Sequence, residues 1–252
     1  MGKYQGRSNR NGKRARESEF RHRDPSSDYE QTLPLRDKID TTPLRAKTPG
    51  QSRYLNAMKS HKVIFATGPA GTGKTYVAAA HAADLLKAKQ IDRILITRPA
   101  VEAGEKLGFL PGEKEEKFDP YLAPFREVLN ERLGASFVKL LIKEERIVAA
   151  PLAYMRGSTF KNAFVVLDEA QNTSPTQMKM FLTRIGENCT VVVNGDVTQK
   201  DIPGQSGLAD ALQRLLWIPN IAHVELSRGD IVRSGVVQEI VEAYEQAPLG
   251  AA

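Results

Sequence analysis

Short runs of apolar residues recur along this chain from residue 51 onward, and polar segments separate them. Several runs are β-branched or aliphatic throughout, which is typical of strands that are buried on both faces of a sheet. The pattern predicts six strands, at residues 63–66, 93–97, 147–150, 163–167, 190–194 and 222–226.

Segments of helical character alternate with these predicted strands. The expected helices cover residues 74–88, 121–133, 176–185, 207–216 and 231–244. Pro175 suits the first turn of the third helix. Strands that alternate with helices in this way form a mostly parallel sheet between two helical layers. The sequence therefore predicts an α/β fold whose ligands bind beyond the carboxyl ends of the strands.

The first 48 residues lack this pattern and are expected to form a disordered basic tail, because they are polar and have no helical or strand periodicity. One stretch before Glu17 contains basic residues and no acidic ones. It can act as an electrostatic arm for nucleic-acid phosphates, or only as a solvated tail. Its members are Lys3, Arg7, Arg10, Lys13, Arg14 and Arg16. We expect one folded domain at residues 49–246 and a C-terminal tail at residues 247–252.

The composition bounds the size of the fold, its partners and its location. A chain of 252 residues that is 41% hydrophobic can bury one α/β core. The formal net charge of +6 favours polyanionic partners. A single cysteine, Cys189, lies beside an apolar run and is expected to be buried in a reducing compartment, the cytoplasm. No run approaches the ~20 apolar residues of a membrane span, so no membrane association is expected.

A glycine-rich loop joins the first predicted strand to the first predicted helix. In this pattern, glycines let backbone N–H groups turn toward a polyphosphate, and the helix N-terminus adds partial positive charge. Lys74 can reach the β- and γ-phosphates, and the Thr75 hydroxyl can ligate Mg²⁺. We therefore expect a P-loop that binds a nucleoside triphosphate. Its residues are Gly68, Pro69, Ala70, Gly71, Thr72, Gly73, Lys74 and Thr75.

Two acids follow the strand predicted at residues 163–167. Asp168 can hold Mg²⁺, and Glu169 can orient or deprotonate an attacking water. Adjacent carboxylates are common in turns. Here, however, they follow a P-loop by ~95 residues and stand at the end of a buried strand, as a magnesium-dependent P-loop site requires. The pair favours hydrolysis of the nucleotide over passive binding.

A polar turn follows the strand predicted at residues 190–194, at the same edge of the sheet. Asn194 or Gln199 can hydrogen-bond the γ-phosphate or the attacking water, and so report the loss of that phosphate. An Asn-Gly-Asp turn also forms without any ligand. Its position at the carboxyl edge favours the functional interpretation.

Four motifs together resemble the PhoH family of ATPases: the P-loop, residues 97–112, residues 167–172 and residues 194–196. The run Arg-Pro-Ala-Val-Glu-Ala-Gly-Glu-Lys-Leu-Gly-Phe-Leu-Pro-Gly is the most specific, because no general phosphate-binding rule demands it. The resemblance covers about residues 48–244. It implies a RecA-like core similar to superfamily 1 helicases, ATP hydrolysis with Mg²⁺, and a homo-oligomeric ring, expected to be a hexamer. It also implies action on single-stranded RNA or DNA.

The same resemblance suggests roles for three further residues. Gln51 stands where helicase-like proteins place a glutamine that reads adenine, and the alternative is a surface glutamine at a helix start. Gln199 lies in a motif similar to one that links phosphate sensing to strand binding. Arg98 matches a region that contacts nucleic-acid backbone in helicases, or else it is a local salt-bridge partner.

Helicases of this kind use two RecA-like lobes, and the second lobe donates arginines to the nucleotide. Too little chain follows Gln199 for another lobe of ordinary size. An oligomer can supply such an arginine from a neighbouring subunit, which contributes ~10³ to 10⁵ in rate. We expect Arg228 or Arg233 to be this arginine finger.

Two other functions stay open. A small-molecule kinase also uses a P-loop, although the two acids and Gln199 suit activation of water. Phosphate release without an acceptor would separate an ATPase from a kinase. A regulatory switch would bind ATP and recruit proteins, and stimulation of turnover by single-stranded RNA or DNA would argue against it.

Overall fold

A computed structural model of the chain describes residues 1–2, 37–99 and 114–232. Six strands in these ranges form one sheet: β1 (Val63–Thr67), β2 (Arg93–Arg98), β3 (Ile147–Pro151), β4 (Ala163–Leu167), β5 (Cys189–Gly195) and β6 (Ile221–Glu225). Their order is β3-β2-β4-β5-β1-β6, and neighbouring strands are parallel throughout. The predicted α/β class and parallel sheet are confirmed. All six predicted strands are present, with ends that differ by one residue at most.

Helices cover both faces of the sheet. Within the described ranges they are α1 (Pro49–Ser60), α2 (Lys74–Lys87), α3 (Lys114–Leu133), α4 (Ala135–Lys143), α5 (Pro175–Leu182) and α6 (Gly207–Leu215). Helices α1 to α4 pack on one face, and α5 and α6 pack on the other. None of these helices is long and apolar enough to cross a membrane.

Two hydrophobic clusters lie on opposite faces of the sheet, because successive strand residues point to opposite sides. Ile64 and Phe164 belong to the cluster beneath α1 to α4, while Phe65 and Val165 belong to the cluster beneath α5 and α6. Every residue of β1 and β4 is buried. This explains why these strands are continuous apolar runs in the sequence. Cys189 is buried, as expected.

The helices differ from the sequence prediction in three places. Helices α1 and α4 were not predicted, and α3 begins at Lys114 with Pro120 and Pro124 inside it. Helix α1 is stabilised at its start by Thr48, whose side chain accepts a hydrogen bond from the Gln51 N–H. The helix expected at residues 231–244 and the motif at residues 97–112 fall largely outside the described residues.

Residues 37–48 belong to the predicted tail, yet they contact the folded domain. The Asp40 N–H donates to the Glu131 carbonyl at 2.8 Å. The buried guanidinium of Arg132 donates to the Thr42 carbonyl at 2.7 Å and to the Asp84 carboxylate at 2.6 Å. These contacts hold the segment before α1 against α2 and α3.

Candidate active site

The P-loop leaves the carboxyl end of β1 and leads into α2. Gly68 has a φ of +141°, and a Cβ atom there would clash with the Leu226 carbonyl oxygen. Glycine is therefore required at this position both by the backbone conformation and by the close approach of the chain after β6.

The Lys74 ammonium group lies against the loop. Its Nζ donates to the carbonyls of Gly68 at 2.6 Å and Pro69 at 2.9 Å. Burial lowers the pKa of Lys74, and three nearby carboxylates act in the opposite direction, those of Asp196, Asp168 and Glu169. The ammonium group is thus placed between the loop and the acids of the site.

The carboxyl ends of three neighbouring strands surround a cleft of about 300 Å³. Because β5 lies between β1 and β4 in the sheet, the turn after β5 falls between the P-loop and the two acids. The cleft thus brings together five residues of the P-loop, the acidic pair and Gln199, whose roles stay predictions. It is lined by Ala70, Gly71, Gly73, Lys74, Thr75, Tyr76, Asp168, Glu169, Gly195, Asp196, Gln199 and Val232.

Asp168 is buried and contacts both Thr75 and Arg98. The Thr75 hydroxyl donates to its Oδ1 at 3.4 Å, and Arg98 donates to its Oδ2 from Nη2 at 2.9 Å and from Nε at 3.2 Å. Burial raises the pKa of Asp168, and the Arg98 guanidinium opposes this shift. Adjacent ligands of Mg²⁺ lie roughly 3 Å apart. The two oxygens of Thr75 and Asp168 therefore fit one magnesium ion.

Glu169 follows in a left-handed backbone conformation, with a φ of +54°. Non-glycine residues in this conformation are uncommon and concentrate at functional sites. Arg98 Nη2 lies 3.3 Å from its Oε1, and Gln171 Nε2 donates to its Oε2 at 2.8 Å. The carboxylate lines the cleft and is held by a donor at each oxygen.

Arg98 pairs with both acids of the site. Of the two interpretations left open by the sequence, the salt-bridge partner is thus present in the structure. Its positive charge offsets the repulsion between two adjacent carboxylates. A contact between Arg98 and nucleic acid stays a prediction.

The two candidate sensors lie in different places. Asn194 is fully buried, and its Oδ1 accepts a hydrogen bond from the Tyr54 hydroxyl at 2.8 Å. Gln199 is exposed and lines the cleft. The cleft position makes Gln199 the better sensor candidate.

Sequence reasoning gave no role to Asp196, which the structure places in the cleft. Its Oδ1 accepts hydrogen bonds from the Thr198 N–H and hydroxyl, at 2.9 Å and 2.6 Å. Its Oδ2 is buried and has no partner among the described residues. Only its position directly after β5, at the carboxyl edge of the sheet, could have indicated from the sequence that Asp196 belongs to the site.

Gln51 is only 4% exposed, so it is not a surface residue. Its Nε2 donates to the Thr72 carbonyl at 3.0 Å, and its Oε1 accepts from the Lys47 N–H at 2.9 Å. The side chain holds the P-loop against the start of α1. Its role in reading adenine stays a prediction.

Arg228 lies in a short 3-10 turn, Arg228–Asp230, which begins three residues after the end of β6. The backbone on either side of this turn contacts the P-loop region. The Leu226 N–H donates to the Thr67 carbonyl at 2.8 Å, and the Val232 N–H donates to the Gly71 carbonyl at 3.0 Å. The exposed Arg228 therefore lies between Leu226 and Val232, the two residues whose N–H groups bond the P-loop region. Arg233 lies outside the described residues.

Asp230 joins this turn to the start of α1. Its carboxylate accepts from the N–H groups of Gly50 and Ser227, both at 2.8 Å. Burial alone would raise the pKa of Asp230, but hydrogen bonds from Thr48, Ser227 and Gly50 lower it to about 2.

We expect Asp230→Asn to destabilise the fold by about 1 to 3 kcal/mol at neutral pH, since hydrogen bonds to a charged acceptor are lost. The folded pKa lies below the ordinary value of 3.8, so the charged carboxylate stabilises the fold above that value. This contribution is lost as the pH falls through about 2. Urea unfolding at about pH 7 and about pH 3 should therefore show a smaller difference from wild type at the lower pH. Exposed Asp92→Asn is the control, and an equal difference at both pH values would contradict the assignment.

Comparison with known proteins finds a matching family and close relatives in sequence. A family model described as PhoH-like protein matches residues 43–245. Protein PhoH of Escherichia coli (strain K12) is 52% identical over 213 residues, which cover 83% of this chain and 60% of the relative. The PhoH-like protein of Bacillus subtilis (strain 168) is 51% identical over 205 residues, which cover 81% of this chain and 64% of the relative.

The chain spans less than two thirds of the length of these two relatives. Among solved structures, the Pif1 helicase from Candida albicans is similar, with a TM-score of 0.43 and 16% identity over 79% of this chain and 43% of that chain. The cleft itself has the arrangement of a P-loop nucleotide-binding site. With a family model that matches most of its length and relatives about half identical to it, the chain belongs to the PhoH family.

Proposed function

We propose that this protein is a Mg²⁺-dependent ATPase. One observation supports the proposal most strongly: Lys74, Thr75, Asp168 and Glu169 all line the same cleft, and Thr75 contacts Asp168. Lys74 now donates to two loop carbonyls, and phosphate oxygens are stronger acceptors for the same charged donor. Thr75 and Asp168 would hold the magnesium ion, which neutralises phosphate charge when bound.

Glu169 is the proposed general base of the reaction. Its carboxylate lines the cleft and is partly exposed, so it can reach an attacking water. Gln199 lines the same cleft and would contact the γ-phosphate or that water. These two residues favour water as the acceptor of the phosphoryl group over a small metabolite.

We further propose that single-stranded RNA or DNA binds at the edge of the sheet after β3. Tyr154 is 67% exposed there, and Arg156 is exposed two residues later. Tyr121 lies near both Arg98 and Tyr154, and burial raises the pKa of its hydroxyl. The proposed strand site therefore adjoins the arginine that pairs with the two acids. Exposed aromatic rings that stack on bases, together with arginines that contact phosphates, are the usual combination for single strands.

A homo-oligomeric ring, expected to be a hexamer, would complete the ATPase. Arg228 is exposed on the turn that follows β6. We propose that it enters the cleft of a neighbouring subunit, as an arginine finger supplied in trans does. Arg228 and Arg233 both stay predictions for this arginine finger. Light scattering with and without ATP would measure the size of the assembly.

The test is phosphate release from ATP with Mg²⁺, with excess EDTA, and with single-stranded RNA or DNA. We expect release that needs Mg²⁺, needs no added acceptor, and rises at least severalfold with the single strand. Tyr154→Ala should lose this stimulation. Trp217→Ala should keep it, because Trp217 is 80% exposed but precedes β6, the strand at the opposite edge of the sheet.

Three outcomes would contradict parts of the proposal. Absence of phosphate release from ATP by the wild-type protein would remove the ATPase. Release that depends on an added metabolite would favour a kinase. Equal stimulation of the Tyr154→Ala and wild-type proteins would remove the proposed strand site.

A further inference from the structure

We infer that Gln171 is a positioning residue that couples the proposed base to the turn after β5, an inference that rests on the proposed ATPase function. Gln171 is only 2% exposed. Its Nε2 donates to Glu169 Oε2 at 2.8 Å, and its Oε1 accepts from the Asp196 N–H at 3.1 Å. One amide group therefore joins the carboxyl ends of two neighbouring strands.

The two partners determine how the Gln171 amide is oriented. A carboxylate oxygen accepts and a backbone N–H donates, so a reversed amide would place like groups against each other at both ends. The backbone is also held, since the Ser206 hydroxyl donates to the Gln171 carbonyl at 2.8 Å. A Cβ atom on Gly195 would lie 2.8 Å from Gln171 Oε1, so glycine is needed for this close packing.

A continuous path of hydrogen bonds results. The Gln199 N–H donates to the Asp196 carbonyl at 3.2 Å, the Asp196 N–H donates to Gln171, and Gln171 donates to Glu169. Gln199 is the candidate γ-phosphate sensor, and Glu169 is the candidate base. A shift of the sensor turn when the phosphate leaves is thereby passed to the carboxylate that activates water.

The salt bridge between Arg98 and Glu169 does not replace the hydrogen bond from Gln171 to Glu169. Arg98 Nη2 lies 3.3 Å from Glu169 Oε1, whereas Gln171 holds the other oxygen at the shorter distance of 2.8 Å. Arg98 also bonds Asp168, so its position serves both acids. Gln171 is thus the donor that fixes the rotation of the Glu169 carboxylate relative to the sensor turn.

The first test compares Gln171→Leu with wild type. The substitution keeps similar bulk and removes both hydrogen bonds, so we expect kcat to fall about 10- to 100-fold through misplacement of the base. The KM and the Kd for ATP should stay within about twofold, since Gln171 does not line the cleft. Gln177→Leu is the control, because it is the same substitution and also removes a hydrogen bond, from the Ser174 N–H. Gln177 lies on the exposed start of α5 and does not line the cleft, so kcat should not change.

A second variant separates the two ends of the amide and also serves if Gln171→Leu fails to fold. Gln171→Glu keeps an oxygen for the Asp196 N–H but places a second carboxylate against Glu169. We expect kcat to fall at least as far as in Gln171→Leu. Hydrogen exchange without nucleotide should show the Asp196 amide about 5- to 10-fold less protected in the leucine variant and unchanged in the glutamate variant.

A third measurement asks whether Gln171 acts through Glu169. In single-turnover experiments on a Glu169→Gln background, Gln171→Leu should have little additional effect, because the base it positions is already absent. Independent, multiplied losses would overturn the inference. A kcat within twofold of wild type for Gln171→Leu or Gln171→Glu would overturn it as well. An inactive wild-type protein would instead remove the proposed ATPase function.

Discussion

Glu169→Gln is expected to lower kcat for ATP hydrolysis by about 10² to 10⁴-fold, the range that a general base contributes. Glutamine has nearly the same shape but cannot accept a proton from water. The Kd for ATP should stay within about twofold, because Lys74 and the loop N–H groups are unchanged. Phosphate release and binding of a fluorescent ATP analogue would measure the two effects.

Glu187→Gln is a suitable control for this prediction. Glu187 is exposed and precedes β5, so it lies at the amino edge of the same sheet, away from the cleft. It should behave as wild type. A Glu169→Gln variant that keeps more than about a tenth of wild-type kcat would show that another group activates water.

Lys74→Ala is expected to weaken ATP binding by about 100-fold or more. Each hydrogen bond between a charged donor and a phosphate contributes roughly 1.5 to 3 kcal/mol, and a tenfold change in Kd corresponds to about 1.4 kcal/mol. Among the described residues that line the cleft, Lys74 is the one lysine or arginine, and the nearby Arg98 is already paired with both acids. Equilibrium binding of the same fluorescent analogue would measure the loss.

The matched control is Lys87→Ala, at the other end of α2. Lys87 is exposed and lies in the last turn of that helix, so its removal changes the net charge equally but leaves the cleft intact. It should bind ATP as wild type does. Equal weakening in both variants would indicate a general electrostatic effect instead of a direct phosphate contact.

Most of the fold and the centre of the candidate site could be predicted from short segments of the sequence. Strands β1 and β4 are continuous apolar runs because both of their faces are buried, and the P-loop and the acidic pair directly follow these two strands. The order of the strands then brings these motifs to one cleft. Nothing beyond the motifs and their place in the chain was needed to predict that Lys74, Asp168 and Glu169 meet.

The features that could not be predicted depend on contacts between residues that are far apart in the sequence. Helix α1 begins with Pro-Gly and is rich in polar residues, and the burial of Gln51 follows from its contact with Thr72. The role of Gln171 depends on the Asp196 N–H, which only the adjacency of β4 and β5 brings near. A glutamine near an acid pair has no distinctive sequence signal by itself.

The bond between Gly50 and Asp230 joins positions that are 180 residues apart, and the same late segment supports the P-loop through Leu226 and Val232. A ribosome that adds 5 to 20 residues per second needs roughly 10 to 40 s to make that length of chain. Throughout this interval the emerging loop lacks the strand and the turn that pack against it. The P-loop of a newborn chain therefore lacks these backbone contacts until residues 226–232 have been added.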